Sequence, residues 1–188
     1  MRQSILFFDI DGTLLSDKTG KIPDSALEAL AEAKKNGHLL FINTGRTVCA
    51  LPKELYQFEF DGYLCGCGSY LLFHDEVLLE SHIEEACGQK YIEQMRECGL
   101  DGVLEGTEDL YFPKKVSRFE KLEQGRHYFG QLGLGKKKHI EEGGFLYDKI
   151  FVYADEQSEK ERFFRLMEDA FAVIDRGENT YELTQKAF

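Results

Sequence analysis

The stretch FFDIDGTLLSD, residues 7–17, sets two carboxylates, Asp9 and Asp11, one residue apart directly after an apolar run. Like charges this close repel unless a cation sits between them or one carries a proton. Two carboxylates can bind a hard cation such as Mg2+, which prefers oxygen ligands and keeps several waters. One carboxylate can also attack phosphorus to make an acyl phosphate while its neighbour handles protons. The attacking group must be ionised, and the donor must keep its proton near neutral pH, which needs a raised pKa. Gly12 permits close backbone approach, and consecutive amides there could cradle a phosphate. The plain alternative is an aspartate cap followed by an Asp-Gly turn.

A second polar cluster follows the next apolar run. In INTGRT, Thr44 offers a hydroxyl, Gly45 an amide and Arg46 a guanidinium that can grip a phosphate with two parallel hydrogen bonds. Taken alone, the cluster also reads as a strand-to-helix turn with Thr47 as an N-cap.

Both clusters need elements to hold them. Ser4 to Phe8 reads as a short buried strand, PDSALEALAEAKKNG as a helix, and HLLFIN as a second strand. Ser25 and Glu28 make a capping-box pattern, and Gly37 is a stop signal. A helix is expected from about Val48 to Gln57, with Pro52 near its start, and DGYLCGCGSYLLF gives further strand. Strand, helix, strand, helix, strand is the alternation of a parallel sheet with crossover helices. Such sheets bind ligands at the carboxyl ends of their strands, where both clusters fall. Beyond His82 the expectation is a helix over Glu84–Cys98, a mixed stretch, and YDKIFVYA as a strand. An amphipathic helix follows, with Phe163, Met167, Ala170 and Phe171 on one face, then two strands around Arg-Gly-Glu-Asn.

Bulk properties narrow the classes. The 188 residues and 43% hydrophobic content suit one or two compact domains with a real core. A net charge of −11 argues against nonspecific nucleic-acid binding and against docking on an anionic membrane. It leaves room for a small phosphorylated ligand held by a few placed donors. No segment is long and apolar enough for a transmembrane helix, and the N-terminus is too short and soon too acidic for a signal peptide, so a cytoplasmic chain is expected. The five cysteines lack disulfide or zinc spacing; Cys65 and Cys67 read as strand neighbours packing on one face. Oligomeric state is not readable.

DIDGTLL after one strand and INTGR after the next resemble the haloacid dehalogenase superfamily, and more narrowly its Cof-type branch with a large cap. The likeness runs over essentially the whole chain. It implies an α/β architecture: a Rossmann-like parallel-sheet core, incomplete here, over residues 1–82, and an α+β cap over 83–185, with 186–188 beginning the return to the core. It implies Mg2+-dependent hydrolysis of a small phosphorylated metabolite, such as a sugar phosphate or phosphorylated cofactor, through an aspartyl-phosphate. On matching positions, Asp9 is the nucleophile and a Mg2+ ligand. Asp11 is the general acid and base, and its backbone carbonyl binds Mg2+. Thr44 and the Gly45 amide hold the phosphate, beside the cradle already read at Gly12, and Arg46 lies near the substrate entrance.

The resemblance has two departures. Cys67 stands where the branch often has an asparagine. The chain ends at YELTQKAF, with Lys186 slightly too early for the third-motif lysine and no acidic fourth motif. The expectation is a truncated form with little turnover. Competing readings are a phospho-ligand binder or phospho-accepting switch, and a phosphotransferase or mutase.

Two further features are set aside. GQLGLGKKK, residues 130–138, nearly matches a nucleotide-binding loop, but no buried strand precedes it and Lys137 replaces the hydroxyl that should reach Mg2+. It reads as a cap loop. Tyr111, Phe112, Phe145 and Tyr147 read as core aromatics that could also shape a cap pocket.

Overall fold

The computed structural model describes residues 2–186. The chain forms two compact units, Met1–Glu80 and Ser81–Phe188. In the first, β1 (Ile5–Phe8), α1 (Asp24–Lys35), β2 (Leu39–Asn43), β3 (Gly62–Cys65), β4 (Tyr70–Phe73) and β5 (Glu76–Glu80) follow one another. They make one sheet in the order β1-β2-β3-β4-β5. β1, β2 and β3 are parallel, with Phe7 opposite Phe41 and Phe41 opposite Gly62. β3, β4 and β5 are antiparallel neighbours. Because side chains alternate along a strand, Leu6, Phe8, Leu40 and Ile42 share one face. That face packs with Ile10, Leu14, Leu27 and Leu30, the last two from α1. Each fully buried aliphatic side chain there contributes roughly 1.5–3 kcal/mol.

α1 forms as its apolar stripe predicts, but its start differs. Pro23 occupies the cap position with no side-chain cap bond, and Ser25 lies inside the helix, so the expected capping box does not form. Asp24 in the first turn and Lys34 and Lys35 in the last complement the helix dipole instead. The helix expected over Val48–Gln57 is two short 3-10 turns, Val48–Ala50 and Lys53–Gln57. Pro52 cannot donate a backbone bond and pushes Leu51 into extended geometry (φ −65°, ψ 131°), which breaks the run.

The second unit contains α2 (Glu85–Glu97), β6 (Asp101–Glu105), β7 (Leu110–Tyr111), α3 (Glu120–Gln131), β8 (Lys149–Tyr153), α4 (Lys160–Met167), β9 (Phe171–Gly177) and β10 (Thr180–Gln185). Its antiparallel sheet has the order β7-β6-β8-β10-β9. Ile92 and Met95 of α2 and Phe163 and Met167 of α4 pack with Leu104, Ile150, Val152 and Leu183 of the sheet. α4 stops at Met167, so Phe171 reaches the same core from β9 and not from the expected helix face. Tyr111, Phe112 and Tyr147 are buried, and Phe145 stacks on Tyr111.

Charged residues of four strands form a network in this sheet. Lys149 bonds Glu182 and lies 3.1 Å from Glu105, while Arg176 Nε donates to Glu182 at 2.8 Å. The two ends of the unit are tied together as well. Gln185 Nε2 donates to the carbonyls of Ser81 and Asp148, each at 3.0 Å, and His82 Nδ1 lies 2.6 Å from Asp148 Oδ1.

Candidate active site

Parallel pairing puts the carboxyl ends of β1 and β2 side by side. After β1 the chain coils tightly: the amides of Thr13, Leu14 and Leu15 all donate to the Ile10 carbonyl. Ile10 and Leu14 anchor the coil in the core while Asp9, Asp11 and Gly12 stay exposed. Gly12 has φ +72°, a conformation that side-chain-bearing residues rarely adopt. Thr13 Oγ1 lies 3.5 Å from Asp9 Oδ2.

After β2, Thr44 is buried and its Oγ1 accepts the Arg46 amide at 3.2 Å. Arg46 then reaches across to the first loop. Its Nε donates to Asp11 Oδ2 and its Nη2 to Asp11 Oδ1, both at 2.8 Å, while Nη1 donates to the Ala50 carbonyl at 3.2 Å. This fork has the matched geometry that makes arginine–carboxylate pairs strong. The hydrogen bonds from Arg46 hold Asp11 below the ordinary carboxylate range; partial burial opposes them and the guanidinium charge adds to them. The loop after β3 supports the second from behind, with the Gly66 amide donating to the Arg46 carbonyl at 2.8 Å and the Cys67 amide to that of Thr44 at 3.4 Å.

The expected residues therefore fall on two adjacent strand ends, and the Arg46–Asp11 fork joins them. Asp9 and Asp11 are both exposed, so hard oxygen donors are present. Among the described residues no group of three His, Cys, Asp or Glu converges as a metal cluster. One or two carboxylates with waters and substrate phosphate are how Mg2+ is usually held, so the donors fit a sparse site.

The family of haloacid dehalogenase-like hydrolases matches residues 6–188. The chain belongs to this family. It is 36% identical over 107 residues to the pyridoxal phosphate phosphatase YbhA of Escherichia coli (strain K12), covering 55% of this chain and 39% of that one. It is 28% identical over 97 residues to YkrA of Bacillus subtilis (strain 168), named as a phosphatase, covering 52% of this chain and 37% of the relative. These matches span about two-fifths of the length of either relative. The solved subclass IIB sugar phosphatase BT4131 superposes with a TM-score of 0.75 at 21% identity, covering 99% of this chain and 71% of that one. The fold is thus the Rossmann-like core with an α/β cap that the motifs imply.

Within this family member, two residues near the loops were not assigned by the sequence. Thr13 sits four positions after Asp9, and only the coil of the loop brings its hydroxyl back. Cys67 is not a strand residue: β3 ends at buried Cys65, and Cys67 lies exposed in a 3-10 turn at φ +57°. The expectation that both thiols pack on one strand face is therefore wrong. Asparagine is among the few residues that tolerate a left-handed backbone, so the conformation at Cys67 would suit it. Burial pushes the Cys65 thiol up to about 12, so it stays protonated.

The glycine-lysine loop is occupied by the protein itself. Fully buried Asp109 accepts the amides of Leu110 (2.9 Å), Gly135 (2.7 Å) and Lys137 (3.4 Å). Its carboxylate takes the place that a phosphate would need.

Proposed function

We propose that the chain carries the phosphoryl-accepting part of a phosphatase for a small phosphorylated metabolite, a sugar phosphate or a phosphorylated cofactor. The first unit would be the catalytic part and the second the cap. The observation that carries this reading is the meeting of Asp9, Asp11, Thr44 and Arg46 at two adjacent parallel strand ends, in a member of a hydrolase family. Relatives named for pyridoxal phosphate and sugar phosphates support the substrate class.

Asp9 would attack phosphorus through a carboxylate oxygen. The ester P–O bond breaks, and the departing oxygen takes a proton from Asp11, leaving an acyl phosphate on Asp9 and a free alcohol. Water then attacks phosphorus and gives its proton to Asp11, which restores Asp9 and releases phosphate. Thr44, the Gly45 amide and Gly12 would hold the phosphate oxygens. Mg2+, held by Asp9 and the Asp11 carbonyl, would supply positive charge against the phosphate.

Asp11 must be protonated for the first half of that cycle, yet Arg46 favours its ionised form. Arg46 would therefore move from Asp11 to the incoming phosphate. Two carboxylates and one guanidinium leave the phosphoryl group poorly neutralised, so the 188-residue chain would turn over slowly. The same fork favours a second reading, a phospho-accepting form that does not turn over. A third, transfer to another hydroxyl, differs only in the acceptor. The described cysteines form no disulfide, which fits a cytoplasmic setting; no helix among the described residues is long and apolar enough to cross a membrane.

The test is a panel of phosphorylated metabolites, pyridoxal 5′-phosphate and hexose phosphates included, with Mg2+. Slow phosphate release that Asp9→Asn abolishes supports the phosphatase. Stable labelling of Asp9 without release supports the switch. Steady, rapid release that survives Asp9→Asn would sink both.

A further inference from the structure

The residues that join β3 to β4 have an unusual backbone. Gly66 lies at φ +61°, Cys67 at +57° and Gly68 at +98°, so three residues in a row are left-handed. Glycine adopts that region without steric cost, and cysteine does not. Closing β3 onto β4 does not ask for such a run. A four-residue connection such as Gly66–Ser69 is most often built around a type I turn, whose central residues keep negative φ. The strained residue therefore needs another reason.

The direction of the donors supplies it. Strand-like bonding between β2 and β3 runs as far as the Thr44 amide, which donates to the Leu64 carbonyl at 2.9 Å. Beyond that point the turn aims its own donors back at the loop after β2. The Cys67 amide donates to the Thr44 carbonyl at 3.4 Å, the Cys67 thiol to the Gly45 carbonyl at 3.9 Å, and the Gly66 amide to the Arg46 carbonyl at 2.8 Å. Three successive carbonyls thus face β3. In a trans peptide the carbonyl and the following amide point in opposite directions. The amides of Gly45, Arg46 and Thr47 therefore face away from β3. The neighbour of β2 on that other side is β1, the strand that Asp9 directly follows. The Arg46 amide donates to Thr44 Oγ1 at 3.2 Å, and Gly45 is partly exposed. Successive amides aimed to one side make a concavity for anions.

We propose that Cys67 is a positioning residue for phosphate. It does not touch the anion. Its left-handed backbone holds the Thr44–Arg46 carbonyls toward β3, and so turns the Gly45 amide toward an anion on the β1 side. What position 67 must supply is a residue that accepts positive φ, and the thiol contact is secondary. The inference rests on the reading that places phosphate at Thr44 and Gly45. If the turn only closed β3 onto β4, strain placed at Cys67 would act no differently from strain in another turn of the same sheet.

The test titrates inorganic phosphate, with Mg2+ present, into the nitrogen-15-labelled 188-residue chain and follows the Gly45 amide by NMR. The wild type should show a saturable shift. Cys67→Val places a β-branched residue in the left-handed region and should weaken phosphate binding by about fivefold. Cys67→Asn, which accepts that backbone, should bind within about twofold of the wild type or more tightly. Gly68→Ala strains the same turn through the backbone alone, because its Cβ would meet nothing within 4 Å. It should weaken binding by about threefold, and it keeps the test decisive if Cys67→Val does not fold. His74→Val puts like strain at φ +51° in the turn between β4 and β5, and should leave the affinity within about twofold. Unchanged affinity in the strained turn variants, lost affinity in Cys67→Asn, or an equal loss in His74→Val would each overturn the role of Cys67 alone. A wild type whose Gly45 amide ignores phosphate would remove the phosphate site and this role together, so the two failures are told apart.

Discussion

Arg46 grips Asp11 with two parallel hydrogen bonds of 2.8 Å, and so ties the loop after β2 to the loop after β1. The pair fixes the shape of the site and sets the charge on one of its two carboxylates. A carboxylate held this way is a poor proton donor.

Arg46→Ala should therefore raise the pKa of Asp11, measured by carbon-13 NMR titration of the carboxyl group. The Asp11 side chain is more than half exposed, so the loss of stability should be no more than about 1 kcal/mol. The sign follows from linkage. A carboxyl held low in the folded state stabilises above its unfolded pKa near 3.8 and loses that contribution as pH falls through the lower folded value. The difference between wild type and variant should be full above about pH 4 and shrink below it. A difference that grew in acid would refute the assignment.

Asp9→Asn should leave the fold intact, because the side chain is exposed, and should abolish covalent labelling by a small acyl-phosphate donor. Asp11→Asn should keep the labelling and lose the Arg46 fork. Equal labelling of all three proteins, read by intact mass under acidic quench, would remove Asp9 from the nucleophile's role.

What the sequence made legible follows from how local each signal is. The Asp9–Asp11 and Thr44–Arg46 clusters were readable because each directly follows an apolar strand. α1 was readable from its period, and β9 and β10 from the turn between them. The Val48–Gln57 helix was misread because Pro52 acts on Leu51 more strongly than the apolar spacing suggests. α3 gave no warning: Gly125 and Gly130 weaken its pattern and only Leu122 is buried. The left-handed Cys67 was hidden because neither a strand nor a cysteine announces positive φ. The fork itself depends on two loops 35 residues apart and has no sequence signature.

Cys67→Asn should stabilise the first unit by several tenths to about 1 kcal/mol, since asparagine accepts φ +57° with less strain. Gly12→Ala should do the reverse by about 1–2 kcal/mol. Its Cβ would meet nothing nearer than Asp17 Oδ2 at 3.6 Å, so backbone strain alone sets the cost. Urea unfolding of both variants checks the pair. If Gly12→Ala proves neutral, the loop after β1 is not held in the geometry described.

Glu182→Ala is the severest change expected in the second unit. Burial alone would raise the pKa of Glu182, but the charge of Lys149 and bonds from Lys149 and Arg176 overcome it and hold the group below the usual range. Removing the carboxylate leaves buried Lys149 with Glu105 as its remaining carboxylate partner in the network. Breaking a buried pair from one side costs about 3–5 kcal/mol. Glu182→Ala with Lys149→Met should recover part of that loss, because the buried ammonium is removed, and only part because Glu105 then loses Lys149. For the wild type, the contribution of Glu182 is present above its unfolded pKa near 4.5 and falls away as pH drops through its folded value. Thermal unfolding of the single and double variants between pH 3 and 7 reads both effects. A double variant no more stable than the single one would show that the network holds the strands by more than its charges.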